Sequence, residues 1–164
     1  MIDIGEVTSW LVDGLRVAFD ADTVVVGAAV GDGIAPAVAG WTRVTPNDPV
    51  GVFVPYLVVT AGGAVTSLPG GTSLCDTVTV LMGAPYRVTA YDNDRVSADR
   101  LAARARTHLK ALGPPTDLGD LQVRANAVFI DSLVGAVRTD QTDPPMFSAI
   151  TNCRVNVARA AGGR

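Results

Sequence analysis

Lysine, glutamate and histidine are almost missing from this 164-residue chain: Lys110, Glu6 and His108 stand alone in their classes. Cysteine is scarce, with two residues, aromatics make up 5% and charged residues only 18%. Each shortage excludes something. His108 has no Ser, Cys or acid at a motif spacing, which leaves general-base and nucleophilic triad chemistry without a carrier. It reads as a helix residue, solvated or partly packed. Cys75 and Cys153 cannot staple a disulfide scaffold and stand at no metal-ligand spacing, so they read as reduced, small apolar side chains. A basic excess is also lacking, because the net charge is −3. Binding to phosphate backbones grows with the number of phosphates neutralised, so DNA affinity is not the main business of this chain. The start, Met-Ile-Asp-Ile-Gly-Glu, lacks the basic and apolar regions of a secretory signal.

What is present is apolar. Residues of the hydrophobic class make up 48% of the chain, which argues for a folded core and, at this length, for a single domain over residues 1–164. Residues 49–75 carry no charge, yet Pro49, Pro55, Pro69 and the glycines among them break any membrane-spanning helix. They read as strands and turns. Charge is unevenly placed: residues 1–82 hold two cations and eight acids, whereas residues 83–164 hold eleven cations and eight acids. Such polarity can order subunits head to tail.

Periodicity predicts the elements. Val7, Trp10, Leu11, Gly14, Leu15 and Ala18 fall at helical steps and place a helix over about 5–19, with Asp3 and Glu6 at its positive end. Thr23–Val26 suits a short strand. Pro55–Thr60 is a β-branched and aromatic strand. Cys75–Met82 and Tyr86–Tyr91 read as two strands, or as one interrupted by a bulge at Gly83. Leu101, Ala105, Leu109 and Leu112 form the seam of a second helix over about 98–112, with Ser97 as N-cap, Asp99 in its first turn and Gly113-Pro114-Pro115 as its stop. Strands follow over Leu121–Ile130 and about Ser148–Ala158, separated by a turn-rich stretch from Arg138 to Pro145. The last residues, Ala160–Arg164, read as a frayed tail. The order implies an α+β fold: a mostly antiparallel or mixed sheet of four to five strands, with two helices packed on one face.

The remaining motifs carry no chemistry. Gly62-Gly63 and Gly70-Gly71 are not followed by Lys-Ser/Thr, so they serve turns and not phosphates. Asp92-Asn93-Asp94 with Asp99 lacks the sharp-turn Gly and closing Glu of a calcium loop and reads as a strand-to-helix turn. Arg100, Arg104 and Arg106 are not interleaved with aromatics and read as a charged helix face. No catalytic residue, cofactor site or metal site is expected.

Three stretches carry a resemblance. One is Pro55-Tyr56-Leu57-Val58-Val59 after an N-terminal helix and a variable stretch. The second is Tyr86–Asp92 running into Ser97–Leu109. The third is Pro145-Met146-Phe147-Ser148-Ala149 leading into a closing strand with Val155 and Val157. In this segment order, over about residues 5–158, the chain resembles the tail terminator (tail completion, minor tail or head–tail joining) proteins of long-tailed phages. The resemblance implies a non-enzymatic structural protein, assembled in the host bacterial cytoplasm and carried in the neck of the virion. It implies a homo-hexameric ring that caps the tail tube, stops its polymerisation and offers a docking face to the head connector or stopper. Its partners are then itself, the major tail tube protein and that connector; DNA only passes through the lumen, and no membrane or cofactor is involved. Long loops at about 27–50, 62–74 and 138–147 are expected to reach neighbours, with Pro69, Gly70, Gly71, Arg95, Arg138, Asp140 and Met146 as interface residues. Another neck or tail component (stopper, adaptor or tube subunit) or a small ligand-binding domain is the alternative.

Overall fold

The computed structural model describes residues 4–28, 39–41, 51–63, 66–67, 79–113, 121–139 and 144–160. The first element is helix α1 (Ile4–Ala18), whose stripe of Val7, Leu11 and Leu15 is wholly buried. Next come β1 (Val25–Ala28), β2 (Gly40–Trp41), β3 (Phe53–Val54), β4 (Tyr56–Ala61), β5 (Thr66–Ser67) and β6 (Thr79–Asp92). Helix α2 (Arg95–Ala111) leads into the long strands β7 (Leu121–Arg138) and β8 (Phe147–Ala160). The main sheet runs β1-β4-β6-β8-β7, with β5 joining β6, and β2 and β3 form a separate two-stranded sheet. β1 is parallel to β4; every other pair is antiparallel. Both helices cover one face of the main sheet, α1 over β1 and β4 and α2 over β6, β8 and β7, so the expected α+β architecture is the one observed.

Period-two alternation builds the core. Tyr86, Val88 and Ala90 of β6, Leu57 and Val59 of β4, and Cys153, Val155 and Val157 of β8 all point at the helices and are buried there. Between the helices, Gly14 of α1 lies where a Cβ would stand 2.4 Å from Leu112 Cδ2, so a small residue lets the helices approach at that point. His108 is half-buried, its ring set edge-on to Phe19 with centroids 5.4 Å apart. Cys153 is a buried free thiol, and Cys75 lies outside the described residues, as does the predicted frayed tail after Ala160.

Five expectations need correction. Residues 79–82 and Tyr86–Tyr91 belong to one strand, as the one-strand alternative had it, but Gly83 makes no bulge: from Thr79↔Ala160 to Asp92↔Phe147 the register of β6 on β8 is unbroken, and residues 75–78 lie outside the described residues. Pro85 fits within it because its backbone faces the side on which β4 has ended. There its carbonyl accepts the Gly62 N–H at 2.8 Å, and no ladder needs the N–H that proline lacks. The irregularity sits in the neighbouring strands: Ala61↔Tyr86 and Thr66↔Gly83 leave two extra residues between β4 and β5, and Gly63 just past the end of β4 takes φ +114°.

α2 also opens one turn earlier than expected. Its N-cap is Asp94, with extended backbone (φ −126°, ψ 139°) and Oδ2 accepting the Ser97 N–H at 2.8 Å. A carboxylate accepts more strongly than a hydroxyl, and these hydrogen bonds hold the Asp94 carboxyl below its usual range. Asp99 does not serve the helix end; its Oδ1 accepts the Ala136 N–H of β7 at 2.8 Å. β7 does not stop at Ile130 but runs to Arg138, absorbing three register shifts against β8. Finally, the expected loops are partly structured. β2 lies within 27–50 and β5 within 62–74. The third loop is a hairpin connection whose ends are pinned by Arg138↔Phe147 pairing and by Thr139 N–H donating to Met146 O at 2.7 Å.

Candidate assembly interface

The two faces of the sheet are finished differently. On the face opposite the helices, β2 and β3 lie over Tyr56 and Val58, and Trp41, Phe53, Tyr56 and Tyr91 form a chain of ring contacts. Tyr56 and Tyr91 stack with centroids 4.5 Å apart. Burial pushes the Tyr56 hydroxyl up to about 12, with Tyr91 adding to it, so it stays a neutral donor; its O–H donates a hydrogen bond to Met146 Sδ at 3.6 Å. Trp41 Nε1–H donates to Pro145 O at 3.3 Å and ties the small sheet to the β7–β8 connection.

Towards β7 this covering ends. Residues opposed across antiparallel strands share a face. Val137, opposite Ser148, and Val134, opposite Ile150, therefore lie on the helix-free face with Phe129, opposite Arg154. These three side chains are 52%, 44% and 48% exposed, and Leu133, on the helix side opposite Thr151, is 54% exposed. Four large apolar groups are thus exposed on one strand, three on the helix-free face and one on the helix side. β7 is the sheet edge, pairing only with β8 among the described residues. Its three register shifts break the row of outward N–H and C=O groups, which disfavours strand-on-strand addition along its length. What β7 offers a partner is its side chains.

Polar groups flank this apolar row on β8. Arg154 NH2 bonds Asp131 Oδ1 at 3.0 Å, Asn152 Nδ2 donates to Ser132 Oγ at 2.9 Å, and Arg87 Nε donates to Asn152 Oδ1 at 3.3 Å. Arg154 Nε and Asn156 Oδ1 are buried without a hydrogen-bond partner. These links orient the polar residues beside Phe129.

A cleft of about 330 Å³ opens at the other end of the helix layer, between Asp22–Val24, Pro55, Asp92 and the first turns of α2. Asp92 is buried there, and loss of water raises its carboxyl above the usual range although its Oδ1 accepts the Asn93 N–H at 2.7 Å. Arg104 on the rim bonds Asp22 and lies over the Phe19 ring, 4.9 Å from its centroid. Among the described residues no cluster of His, Cys, Asp or Glu could hold a metal ion, and no helix is long and apolar enough to cross a membrane.

The expected interface residues lie partly outside the described residues. Pro69, Gly70, Gly71 and Asp140 lie outside the described residues. Arg95 is exposed in the first turn of α2, and Arg138 is exposed at the end of β7. Met146 packs beside Tyr56 in the aromatic group. Arg138 and Met146 stand at the same end of the sheet, through the Arg138↔Phe147 pairing and the Thr139 N–H to Met146 O hydrogen bond. Phe129, Leu133, Val134 and Val137 are exposed apolar residues that the sequence reading did not single out, since Asp131, Ser132 and Gly135 interrupt the apolar run past Ile130. No protein-family model matches the chain, and no curated protein matches it.

Proposed function

We propose that this protein is a structural subunit of a phage tail, a tail terminator that closes into a hexameric ring on the end of the tube and presents a docking face to the head connector. One observation carries the reading: an 18-residue edge strand, β7, displays a row of exposed apolar side chains that a monomer gains nothing by exposing. The segment order adds support, since helix, strands, polar turn, amphipathic helix and closing hairpin follow one another as the resemblance requires.

Two experiments test it. Light scattering on the purified protein, alone and with tails lacking their own terminator, is expected to give a closed hexamer in at least one setting. A permanent monomer that also ignores such tails overturns the reading. Deleting the gene is expected to leave over-long or unjoined tails; finished tails with leaky heads point to a stopper instead. The cleft beside Asp92 favours a second reading, a ligand-binding domain. Unchanged infectivity on substituting Asp92, Asp94 and His108 removes it.

A further inference from the structure

The two helices share one layer but carry opposite charge. The exposed face of α1 and the turn after it bears Glu6, Asp13 and Asp20, with Arg16 as its one cation, bonded to Asp13 Oδ1 at 3.3 Å, so the face keeps a net negative charge. Asp13, Val17 and Asp20 follow at helical steps, and Val17, between the two acids, is 79% exposed. On α2 the exposed residues include Arg95, Arg100 and Lys110, with Arg106 half-buried. Periodicity places Arg95, Arg106 and Lys110 on the same flank as Asp99. That flank faces β7, because Asp99 accepts the Ala136 N–H. The opposite flank of α2 faces α1, as the bond from Arg104 to Asp22 and the His108–Phe19 contact require.

Position completes the argument. α1 lies over β1 and β4 at one edge of the sheet, and α2 reaches β7 at the other. Acidic and basic surfaces therefore sit towards opposite ends of one subunit, each with an exposed apolar residue: Val17 at one, Leu133 at the other. A heterologous ring needs two such surfaces, different from each other and mutually complementary. An isologous dimer through either surface alone would bring like charge against like.

We infer that the helix layer carries the ring contact: the acidic face of α1 in one copy docks against the basic flank of α2 and the adjoining β7 of the next copy. This rests on the ring reading above and names its interface. Val17 meets the apolar edge around Leu133, while Asp13 and Asp20 face Arg106 and Lys110. Between partly exposed charges the attraction is screened over about 8 Å at physiological salt, so the charges select the partner and its orientation while the apolar contact supplies adhesion.

Charge reversal in two variants tests the assignment. One carries D13R and D20R; the other carries R106E and K110E. Circular dichroism first establishes that both are folded. Each variant alone is expected to lose the assembled species seen for wild type by light scattering, because like charges then meet at every contact. Mixed in equal amounts they are expected to assemble again, since alternating subunits restore opposite charges at each contact of an even-membered ring. Wild type that assembles alongside variants that also assemble singly overturns this interface and leaves the ring reading standing. The same holds for variants that fail alone and also fail when mixed. Wild type that never assembles, in solution or on tail tubes, overturns both.

Discussion

The helix-covered face of the sheet and the opposite face use the same four strands for different ends. On the covered side, Leu57, Val59, Tyr86, Val88, Val155 and Val157 meet α1 and α2, and every one of them is 2% exposed or less. On the far side, the same strands place Tyr56 and Tyr91 under a small aromatic cover and then leave Val134, Val137 and Phe129 open along β7. One face is finished within the chain. The other is finished only in part, and its open part coincides with the edge of the sheet. Stability rests on the covered face, while the assembly proposed above uses surfaces outside it, the open edge of β7 and the outer side of the helix layer, so substitutions can separate the two.

The largest effect is expected on the closed face. Leu15→Ala removes a fully buried side chain and should lower unfolding free energy by about 2–5 kcal/mol in urea titrations. A loss below about 1 kcal/mol would remove the distinction between the faces. Trp41→Ala probes the aromatic cover. Trp41 is only half-buried, so the loss should be smaller, about 1–3 kcal/mol, with the α1–α2 core intact by far-ultraviolet circular dichroism. On the open edge, Val134→Thr with Val137→Thr should change monomer stability by no more than about 0.5 kcal/mol each while weakening self-association. A stability loss matching that of Leu15→Ala would mean that β7 packs within the monomer.

Titration sharpens the same contrast. Asp92 is buried under the start of α2 with a raised carboxyl pKa, so its ionisation opposes folding at neutral pH. The sign follows from linkage: a folded pKa above the unfolded one gives stability present at low pH and lost as pH rises through the folded value. Asp92→Asn should therefore stabilise the protein at pH 7, and the gain over wild type should shrink as pH falls into the carboxylate range. Asp94 acts oppositely, since its lowered pKa marks a cap whose contribution holds at neutral pH and fades only below the usual carboxylate range. The smallest effect concerns Cys153. Burial, with Asp131 nearby, pushes its thiol up to about 12, so alkylation at pH 8 mapped by peptide mass spectrometry should mark it only after denaturation.

Much of the covered face was legible in the residue order. The 3–4 spacing of Val7, Leu11 and Leu15 and the alternation of Tyr86, Val88 and Ala90 each name a buried set, because period and burial are linked by backbone geometry alone. The helix cap was misread because Asp94 and Ser97 are both good caps, and only the hydrogen-bond geometry chooses between them. The strand through Gly83 and Pro85 looked broken, since proline lacks the N–H that a ladder on both sides would need. Here β4 has already ended beside Pro85. The open edge was the least legible part. Phe129 and Val134 have the composition of core residues, and nothing local says that β7 has a neighbour on one side only.

The sequence by itself determined two amphipathic helices, the alternating strands between them and the uneven distribution of charge along the chain, because these depend on neighbours a few positions away. Tertiary structure decided which strand became the edge, which apolar residues stayed in water, and that the acidic and basic helices would lie side by side towards opposite ends of one sheet. Those outcomes depend on pairing between segments as distant as Thr79 and Ala160, a relation that no short-range pattern encodes.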